Sequence, residues 1–247
     1  MQPDAEVPQK HLSPTTDGAD WDDIADWWRA EVADDPVYRH TIIPMYERLL
    51  ANVVGPVMDL GCGEGQTMPV GGSGTIGVDS SSALLRHARG KGPVVRAAAP
   101  ELGCFRDAVF GAVGSIYLVD LLEDVGRFFG EIARVVRPAG VLVVVINHPV
   151  FTAAGSAPIA DVDGEVLWRW GDYFTPGWSE EPAGHRTIRF HHRPLDMLLT
   201  TAATCGWFLD RFEEHALPPE AVASMPGYEG QDSIPRLLGV RWHLGMS

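Results

Sequence analysis

Short, mostly apolar runs alternate with longer amphipathic segments through the middle of the chain. The runs Val57–Leu60, Thr75–Val78 and Val141–Ile146 are typical of strands that are buried on both faces. The segment Asp124–Arg137 repeats its apolar residues at helical spacing, begins with a capping aspartate and is followed by Pro-Ala-Gly. This alternation predicts a parallel sheet covered by helices on both faces.

Weaker signals extend the pattern towards both ends of the chain. The further predicted elements are a helix around Trp21–Trp28, a helix over 34–51, a helix over Ser80–Arg89, strands at Val94–Val95 and Ala108–Ser115, a helix over Leu195–Cys205, and strands at Trp207–Phe212 and Leu237–Leu244. Between the first and fifth strands these elements continue the strand and helix pattern, so the additional strands fit the same sheet.

Two stretches fall outside the alternation. Residues 1–18 are polar and rich in proline and acids, which predicts a flexible tail. Residues 148–192 contain glycine, proline and many aromatics without a regular period, which predicts an irregular insertion after the fifth strand. A chain of 247 residues is long enough for one large α/β domain, so 1–247 is interpreted as a single domain.

Charge and cysteine content limit the classes of partner. Nineteen Lys and Arg residues against thirty-three Asp and Glu give a formal charge of −14, and such a surface repels nucleic acid and anionic membranes. The three cysteines are widely spaced and form no metal-ligand pattern, so we expect no disulfide framework and no metal. The N-terminus lacks a signal-peptide pattern and no segment is long enough to span a bilayer, so we expect a cytoplasmic protein with a small-molecule partner.

A glycine-rich turn follows the first predicted strand. Residues 61–65 read Gly-Cys-Gly-Glu-Gly, and Asp59 stands two positions before them. Glycine lets the backbone turn sharply and brings main-chain N–H groups close to a ligand. A second acid, Asp79, ends the next predicted strand, where a carboxylate can accept hydrogen bonds from a ribose diol. The pattern predicts a site for a nucleotide-like ligand at the carboxyl ends of these strands.

The spacing of the loop departs from two other nucleotide-binding patterns. A nicotinamide-binding turn would have its third glycine at position 66, where this chain has Gln66. A phosphate-binding P-loop would require a Gly-Lys-Ser/Thr sequence, which the loop does not contain. An ordinary glycine-rich turn is the alternative, and the two flanking acids argue against it.

Four stretches of the chain resemble class I S-adenosylmethionine-dependent methyltransferases, in the small-molecule branch related to ubiquinone biosynthesis. They are Val57–Gly65, Gly77–Ser80, Phe110–Leu118 and Glu131–Leu142, and the resemblance covers roughly residues 40–147. It implies a Rossmann-like α/β fold with a seven-stranded, mostly parallel sheet whose last strand is antiparallel. It also implies helices on both faces, N-terminal helices over the cofactor and a substrate lid at 148–192.

The resemblance implies S-adenosylmethionine as the cofactor and gives roles to matching residues. Gly61 and Gly63 would approach its methionine part, with Asp59 organising the loop and the amino group. Asp79 would hold the ribose hydroxyls. Ser80 would lie beside the adenine, and Ser115 and Ile116 would border the sulfonium and the substrate entrance. Cys62, within the loop, is expected to be a small packing residue.

Adenine recognition departs from the family pattern. The acid usually found after the third strand is missing from Arg96–Pro100. Backbone groups near Ala98, or the carboxylates of Glu101 or Asp107, are therefore the candidates for the adenine contact.

Methyl transfer requires alignment of donor and acceptor and exclusion of water, and a hydroxyl acceptor also benefits from a base. His148 and His192 are the candidate bases, because His148 follows the fifth strand and His192 ends the insertion. The alternative is that both are structural histidines. The aromatics in Trp168–Trp178 are expected either to line the acceptor pocket or to pack the insertion onto the core.

The predicted function is methyl transfer from S-adenosylmethionine to a small organic acceptor, such as a secondary metabolite or a quinone-like compound, with O-methylation favoured. Two alternatives stay open: an enzyme of the same fold that performs another reaction such as a cyclisation, and a non-catalytic binding module. The intact Gly61, Gly63 and Asp79 argue against the module.

Overall fold

A seven-stranded sheet forms the centre of the protein. The computed structural model describes residues 18–33, 35–163, 165–224 and 227–246. The strands are β1 Val57–Leu60, β2 Ile76–Asp79, β3 Val94–Arg96, β4 Phe110–Ile116, β5 Val136–Asn147, β10 Trp207–His215 and β11 Leu237–Leu244, in the order β10-β11-β5-β4-β1-β2-β3. Of these, β11 runs antiparallel to both neighbours. The predicted fold is therefore confirmed.

Helices cover both faces of this sheet. The helices are α1 Gly18–Asp23, α2 Ala25–Ala33, α3 Ile43–Leu50 (preceded by a π-helical turn, Tyr38–Ile42), α4 Ser82–Ala88, α5 Val125–Val135, α6 Pro149–Thr152, α7 Leu195–Thr204 and α8 Pro219–Ser224. The predicted tail lies outside the described residues except for Gly18, which begins α1. No helix in the described part of the chain has the length and apolar character needed to cross a bilayer.

The core is divided by the sheet into two apolar layers. In one layer Phe128, Phe129 and Ile132 of α5 are completely buried against β4 and β5. Full burial of such a side chain contributes about 1.5–3 kcal/mol to the free energy of unfolding. In the other layer Met45 and Leu49 of α3 pack on the opposite face. Both layers hold the strand ends in fixed positions at the carboxyl edge.

Helix α5 ends at Val135, two residues earlier than the predicted Arg137. A residue before proline disfavours helical backbone angles, and Pro138 therefore ends the helix early. Val136 is already extended and pairs with Phe110, whereas Val141 pairs with Ala112. The residues between them loop out of the ladder, so the strand contains the predicted turn.

The insertion is more regular than predicted. It forms two antiparallel hairpins, β6 Ala157–Ala160 with β7 Val166–Arg169 and β8 Gly177–Ala183 with β9 Arg186–His192. Gly184 adopts a left-handed φ of +60° in the two-residue turn between β8 and β9. Each hairpin pairs only with itself and is largely exposed, so it lacks the alternation of buried and exposed residues that reveals strands in a sequence.

The β8–β9 hairpin packs against the N-terminal helices. Ile24 forms a buried apolar cluster with Ala183 and Ile188, and Trp21 and Trp27 pack around it. The insertion and the N-terminal helices thus meet above the carboxyl edge of the sheet, where an open α/β sheet binds its ligands.

Candidate active site

A cavity of about 1120 Å³ opens at the carboxyl edge of the sheet. Its wall includes the loop after β1 (Leu60, Gly61, Gly63), the end of β2 (Asp79, Ser80), the loop after β3 (Ala97, Ala98, Ala99), the segment after β4 (Ile116, Tyr117, Leu118), the N-terminal helices (Trp21, Trp27, Trp28) and the insertion (Phe151, Trp168, Phe190). Pockets for one small ligand measure about 300–1,000 Å³. The volume is therefore sufficient for a cofactor and a second small molecule.

The amide groups of the glycine loop are directed at β2 rather than at the cavity. The N–H groups of Gly61 and Cys62 both donate to the carbonyl oxygen of Val78, at 2.7 and 3.1 Å. The N–H of Gly63 donates to Oδ2 of Asp79 at 2.9 Å. Gly61 and Gly63 nevertheless line the cavity, and their approach to the methionine part of a cofactor stays a prediction. None of the three N–H groups is free to donate to a phosphate group in this conformation.

Glycine is favoured in this loop by its backbone conformation rather than by lack of space. Gly61 and Gly63 have left-handed φ angles of +76° and +53°. A Cβ atom at Gly61 would lie 3.4 Å from the side chain of Leu118, and one at Gly63 would lie 3.5 Å from Nε1 of Trp28. The loop therefore lies between the segment after β4 and helix α2, at the mouth of the cavity.

Asp79 joins the loop to the cavity wall. Its Oδ1 accepts the N–H of Ser81 at 2.8 Å while Oδ2 accepts that of Gly63. Burial raises the pKa of this carboxyl, although the backbone bonds oppose the shift. An ionised carboxylate has about four acceptor positions, so Asp79 keeps positions for ribose hydroxyls. Ser80 and Ala98 lie beside it in the wall, as the adenine prediction requires.

The alternative adenine contacts are engaged elsewhere. Glu101 forms an ion pair with Arg127 at 2.9 Å, and Asp107 pairs with Arg134 at 2.6 Å. Neither lies in the wall of the cavity, whereas Ala97, Ala98 and Ala99 do.

Asp59 lies beneath the loop and does not line the cavity. It is 2% exposed, and its Oδ2 accepts the hydroxyl of Thr67 at 2.7 Å. Burial raises the pKa of the carboxyl to about 7, the Thr67 bond opposes this, and the charge of Asp79 adds to the shift. Asp59 is therefore placed to influence a ligand in the cavity through its charge and not by direct contact.

Cys62 and Ser115 do not line the cavity. Cys62 packs with Met68, Leu85 and Ala88, and burial raises the pKa of its thiol. Ser115 is completely buried, and its hydroxyl has no hydrogen-bond partner among the described residues. The wall begins one residue later, at Ile116.

His148 is held by hydrogen bonds at both ring nitrogens. Its Nδ1 accepts the N–H of Val150 at 3.1 Å, which caps α6. The proton is therefore on Nε2, which donates to Oε1 of Glu214 at 2.8 Å. Burial lowers the pKa of this imidazole, and Glu214 opposes the shift.

His192 is held in the same way. Its Nε2 lies 2.8 Å from the carbonyl oxygen of Tyr173, which can only accept, so Nδ1 accepts the hydroxyl of Thr152 at 2.9 Å. Burial lowers its pKa. Neither histidine lines the cavity, so this geometry favours the structural alternative over a role as general base.

The far end of the cavity contains residues that the sequence did not single out. Arg236, Asn147, Gln231 and Tyr228 line it together with Phe151. Arg236 immediately precedes β11, whose first residue pairs with Asn147 at the end of β5. The antiparallel pairing of β11 brings the arginine to the carboxyl edge, and the sequence contains no local signal for that placement. Of the predicted aromatic wall only Trp168 lines the cavity, whereas Trp170, Phe174 and Trp178 are exposed.

Comparison with known proteins agrees with this geometry. Residues 58–144 match the family model described as a methyltransferase domain. No curated protein sequence matches the chain. Among solved structures, an S-adenosylmethionine-dependent methyltransferase from Mesorhizobium loti is 25% identical with a TM-score of 0.71, covering 81% of this chain and 96% of that chain.

Two further structures share the fold. A Listeria monocytogenes protein assigned to the S-adenosylmethionine-dependent methyltransferases is 20% identical, with a TM-score of 0.68 over 83% of this chain and 99% of that one. The [4+2]-cyclase SpnF is 14% identical, with a TM-score of 0.62 over 93% and 95%. Residues 58–144 thus resemble a methyltransferase domain, and the chain has the class I fold seen in the S-adenosylmethionine-dependent methyltransferases.

Proposed function

We propose that the protein transfers a methyl group from S-adenosylmethionine to a small organic acceptor bound in the cavity. The observation that carries this proposal is the hydrogen bonding of the glycine loop. Gly61, Cys62 and Gly63 donate their amides internally, and two carboxylates, Asp59 and Asp79, lie beneath and beside the loop. Such a site repels a phosphate and favours a ligand that carries positive charge.

The residues of the cavity fit this cofactor. Its ammonium and sulfonium groups are cationic, and the acidic loop complements them. Asp79 would accept the ribose hydroxyls, and the backbone of Ala97, Ala98 and Ala99 would border the adenine. Trp28 lies over Gly63 and would separate the bound methionine part from solvent.

The bound cofactor supplies a methyl group that is already activated by the sulfonium. The protein therefore needs to align the acceptor and exclude water. The N-terminal helices and the β8–β9 hairpin enclose the cavity from above and serve this purpose. We place the acceptor at the far end, against Phe151, Trp168 and Tyr228.

The aromatic wall favours an apolar or aromatic acceptor, such as a secondary metabolite or a quinone-like compound, and we favour methylation on oxygen. The described wall contains no imidazole, so proton removal from a hydroxyl would fall to a carboxylate. Glu31, Asp35 and Glu181 are the carboxylates placed for this. A nucleophile that is already ionised would need no base.

Calorimetry with S-adenosylmethionine and S-adenosylhomocysteine tests the cofactor assignment. Asp79→Ala removes the ribose acceptor and the Gly63 tether together, so we expect the affinity for both ligands to fall at least tenfold. Asp196→Ala, at an exposed position of α7, is the matched control and should leave it unchanged. Equal affinities of Asp79→Ala and wild type would contradict the assignment.

Methyl transfer itself is tested with labelled cofactor and a panel of phenols, hydroquinones and carboxylic acids. Transfer of label to an acceptor supports the proposal. Cofactor binding without label transfer, while an acceptor is consumed, would point to another reaction on this fold. Absence of cofactor binding would point to a non-catalytic module.

A further inference from the structure

Arg236 faces the cavity with uncharged partners only. Its Nε donates to Oε1 of Gln231 at 2.9 Å, and its Nη1 donates to Oδ1 of Asn147. The guanidinium carbon lies 3.6 Å from the ring centroid of Phe151. These contacts fix the plane of the guanidinium and leave its charge unneutralised.

No carboxylate of the described residues forms an ion pair with this arginine within 4.0 Å. Asp35 and Asp120 stabilise its charge from a greater distance, and burial lowers its pKa. A guanidinium has five N–H donors, of which two are engaged here by Gln231 and Asn147. A partly buried cation without a close counter-ion is unfavourable unless a ligand supplies the missing charge.

Arg193 shows how this fold stabilises an arginine that has only a structural role. It is also buried, but its guanidinium donates to the carbonyl oxygens of Val119, Leu122 and Glu123. Arg193 does not line the cavity. The two arginines therefore differ in what their guanidinium groups face: that of the buried Arg193 faces backbone acceptors, and that of the partly buried Arg236 faces the cavity.

The walls beside Arg236 are apolar and aromatic. Phe151, Trp168, Tyr228 and Leu217 line the same part of the cavity. A ligand that satisfies this region has an apolar body and one anionic group. A single guanidinium edge matches a carboxylate, which it can bind through two parallel hydrogen bonds. A phosphate dianion fits less well, because Glu31, Asp35 and Glu181 also border the cavity.

We propose that Arg236 anchors a carboxylate of the methyl acceptor, so that the substrate is a small organic acid with an aromatic or apolar body. This inference rests on the proposed function, since it assigns the acceptor of that same site. The acid group would be held at the β5–β11 side of the cavity, and the rest of the acceptor would extend towards the glycine loop. Arg236 is then a specificity-determining residue that sets which acceptors are aligned.

The test is calorimetric titration of the full chain, saturated with S-adenosylhomocysteine, with matched pairs of acids and their methyl esters. The probes are benzoate, 4-hydroxycinnamate and decanoate, each beside its ester. We expect the acid of at least one pair to bind at least tenfold more tightly than the ester. Arg236→Met should abolish this preference, and Arg236→Lys should retain part of it, because lysine keeps the charge and loses the bidentate geometry.

Arg127→Met is the matched control, because it removes an exposed arginine of α5 that does not line the cavity and should leave the preference intact. Circular dichroism and an unchanged affinity for S-adenosylhomocysteine verify that each variant is folded. The inference is overturned if no acid of the panel binds in preference to its ester, or if the preference survives in Arg236→Met.

Binding of S-adenosylhomocysteine to the wild type tests the proposed function independently of the acid preference. If S-adenosylhomocysteine does not bind the wild type, the cofactor assignment fails, and the titrations are repeated without it. A preference for the acid that depends on Arg236 would still support an anion site. Its absence would overturn that site as well.

Discussion

At the scale of single residues, we expect the protonation state of the buried Asp59 to depend on the charge of the bound ligand. The carboxyl lies beneath the glycine loop, and burial together with repulsion from Asp79 raises its pKa to about 7. Three other titratable side chains interact with Asp59: those of Tyr38, Tyr46 and Cys62. Burial raises the pKa of each, so all three are neutral around pH 7. Asp59 is therefore a group beneath the loop whose charge changes around neutral pH.

Binding of the cationic cofactor should release a proton from Asp59. A nearby positive charge lowers a carboxyl pKa, so the affinity should rise with pH up to about 7 and level off above about 8. Calorimetry in buffers of different ionisation enthalpy measures the release directly, and Asp59→Asn should remove it while keeping the Thr67 contact. Equal proton release in Asp59→Asn and wild type would refute this account.

The residues of the site differ in how far the sequence could define them. Asp79 lines the cavity because an acid at the end of a short parallel strand lies at the carboxyl edge of the sheet, and its contact with the ribose stays a prediction. The sequence shows where His148 and His192 lie relative to the predicted strands, but it does not show their hydrogen-bond partners. These are Glu214, Thr152 and Tyr173, which lie in other segments of the chain. Arg236 gave no signal at all. Contacts between distant segments decided the role of each of these side chains.

At the scale of elements, the N-terminal helix α1 is fastened to the start of α4 by one side chain. The carboxylate of Asp22 accepts the hydroxyls of Ser81 and Ser82 at 2.6 and 2.9 Å and the N–H of Ala83 at 2.8 Å. Trp21, next to it in the chain, lines the cavity. The position of α1 and of Trp21 over the cavity therefore depends on Asp22.

Asp22→Ala should loosen α1 without disrupting the sheet. Loss of hydrogen bonds to a charged acceptor costs about 1.5–3 kcal/mol per bond, so we expect faster release of S-adenosylhomocysteine and faster hydrogen exchange over residues 21–33. Asp26→Ala is the control, because Asp26 lies on the neighbouring helix with a fully exposed side chain. Equal release rates in Asp22→Ala and Asp26→Ala would show that the hydrogen bonds of Asp22 do not slow the release of the ligand.

The elements themselves were predictable where burial imposes a pattern. Strand β11 was predicted with its observed bounds, Leu237–Leu244, because its apolar residues are packed between two neighbours. The β6–β9 hairpins were predicted as irregular chain. Their residues are mostly exposed, and the hairpins are stabilised by backbone pairing that depends little on side-chain pattern.

At the scale of the whole molecule, the charge of −14 acts on the two reactants in opposite directions. S-adenosylmethionine carries one net positive charge, whereas the acceptor acid proposed here is an anion. A negative field accelerates the approach of a cation and slows that of an anion. Arg236 is then needed to offset, at close range, a repulsion that the whole surface exerts at long range.

The effect of the long-range electrostatic field can be separated from that of the contacts in the cavity by comparing S-adenosylmethionine with its product, S-adenosylhomocysteine. S-adenosylhomocysteine has nearly the same shape but no sulfonium, so its net charge is zero and the long-range field should leave its association rate almost unchanged. For S-adenosylmethionine the association rate should fall severalfold between 0.01 and 0.3 M salt, since the Debye length shortens from about 30 Å to well below about 10 Å. Stopped-flow fluorescence of Trp21, Trp27 and Trp28 in the cavity wall reports both rates. Identical salt dependence of the two ligands would show that the surface charge does not steer the cofactor, and would leave its selection to Asp59 and Asp79 alone.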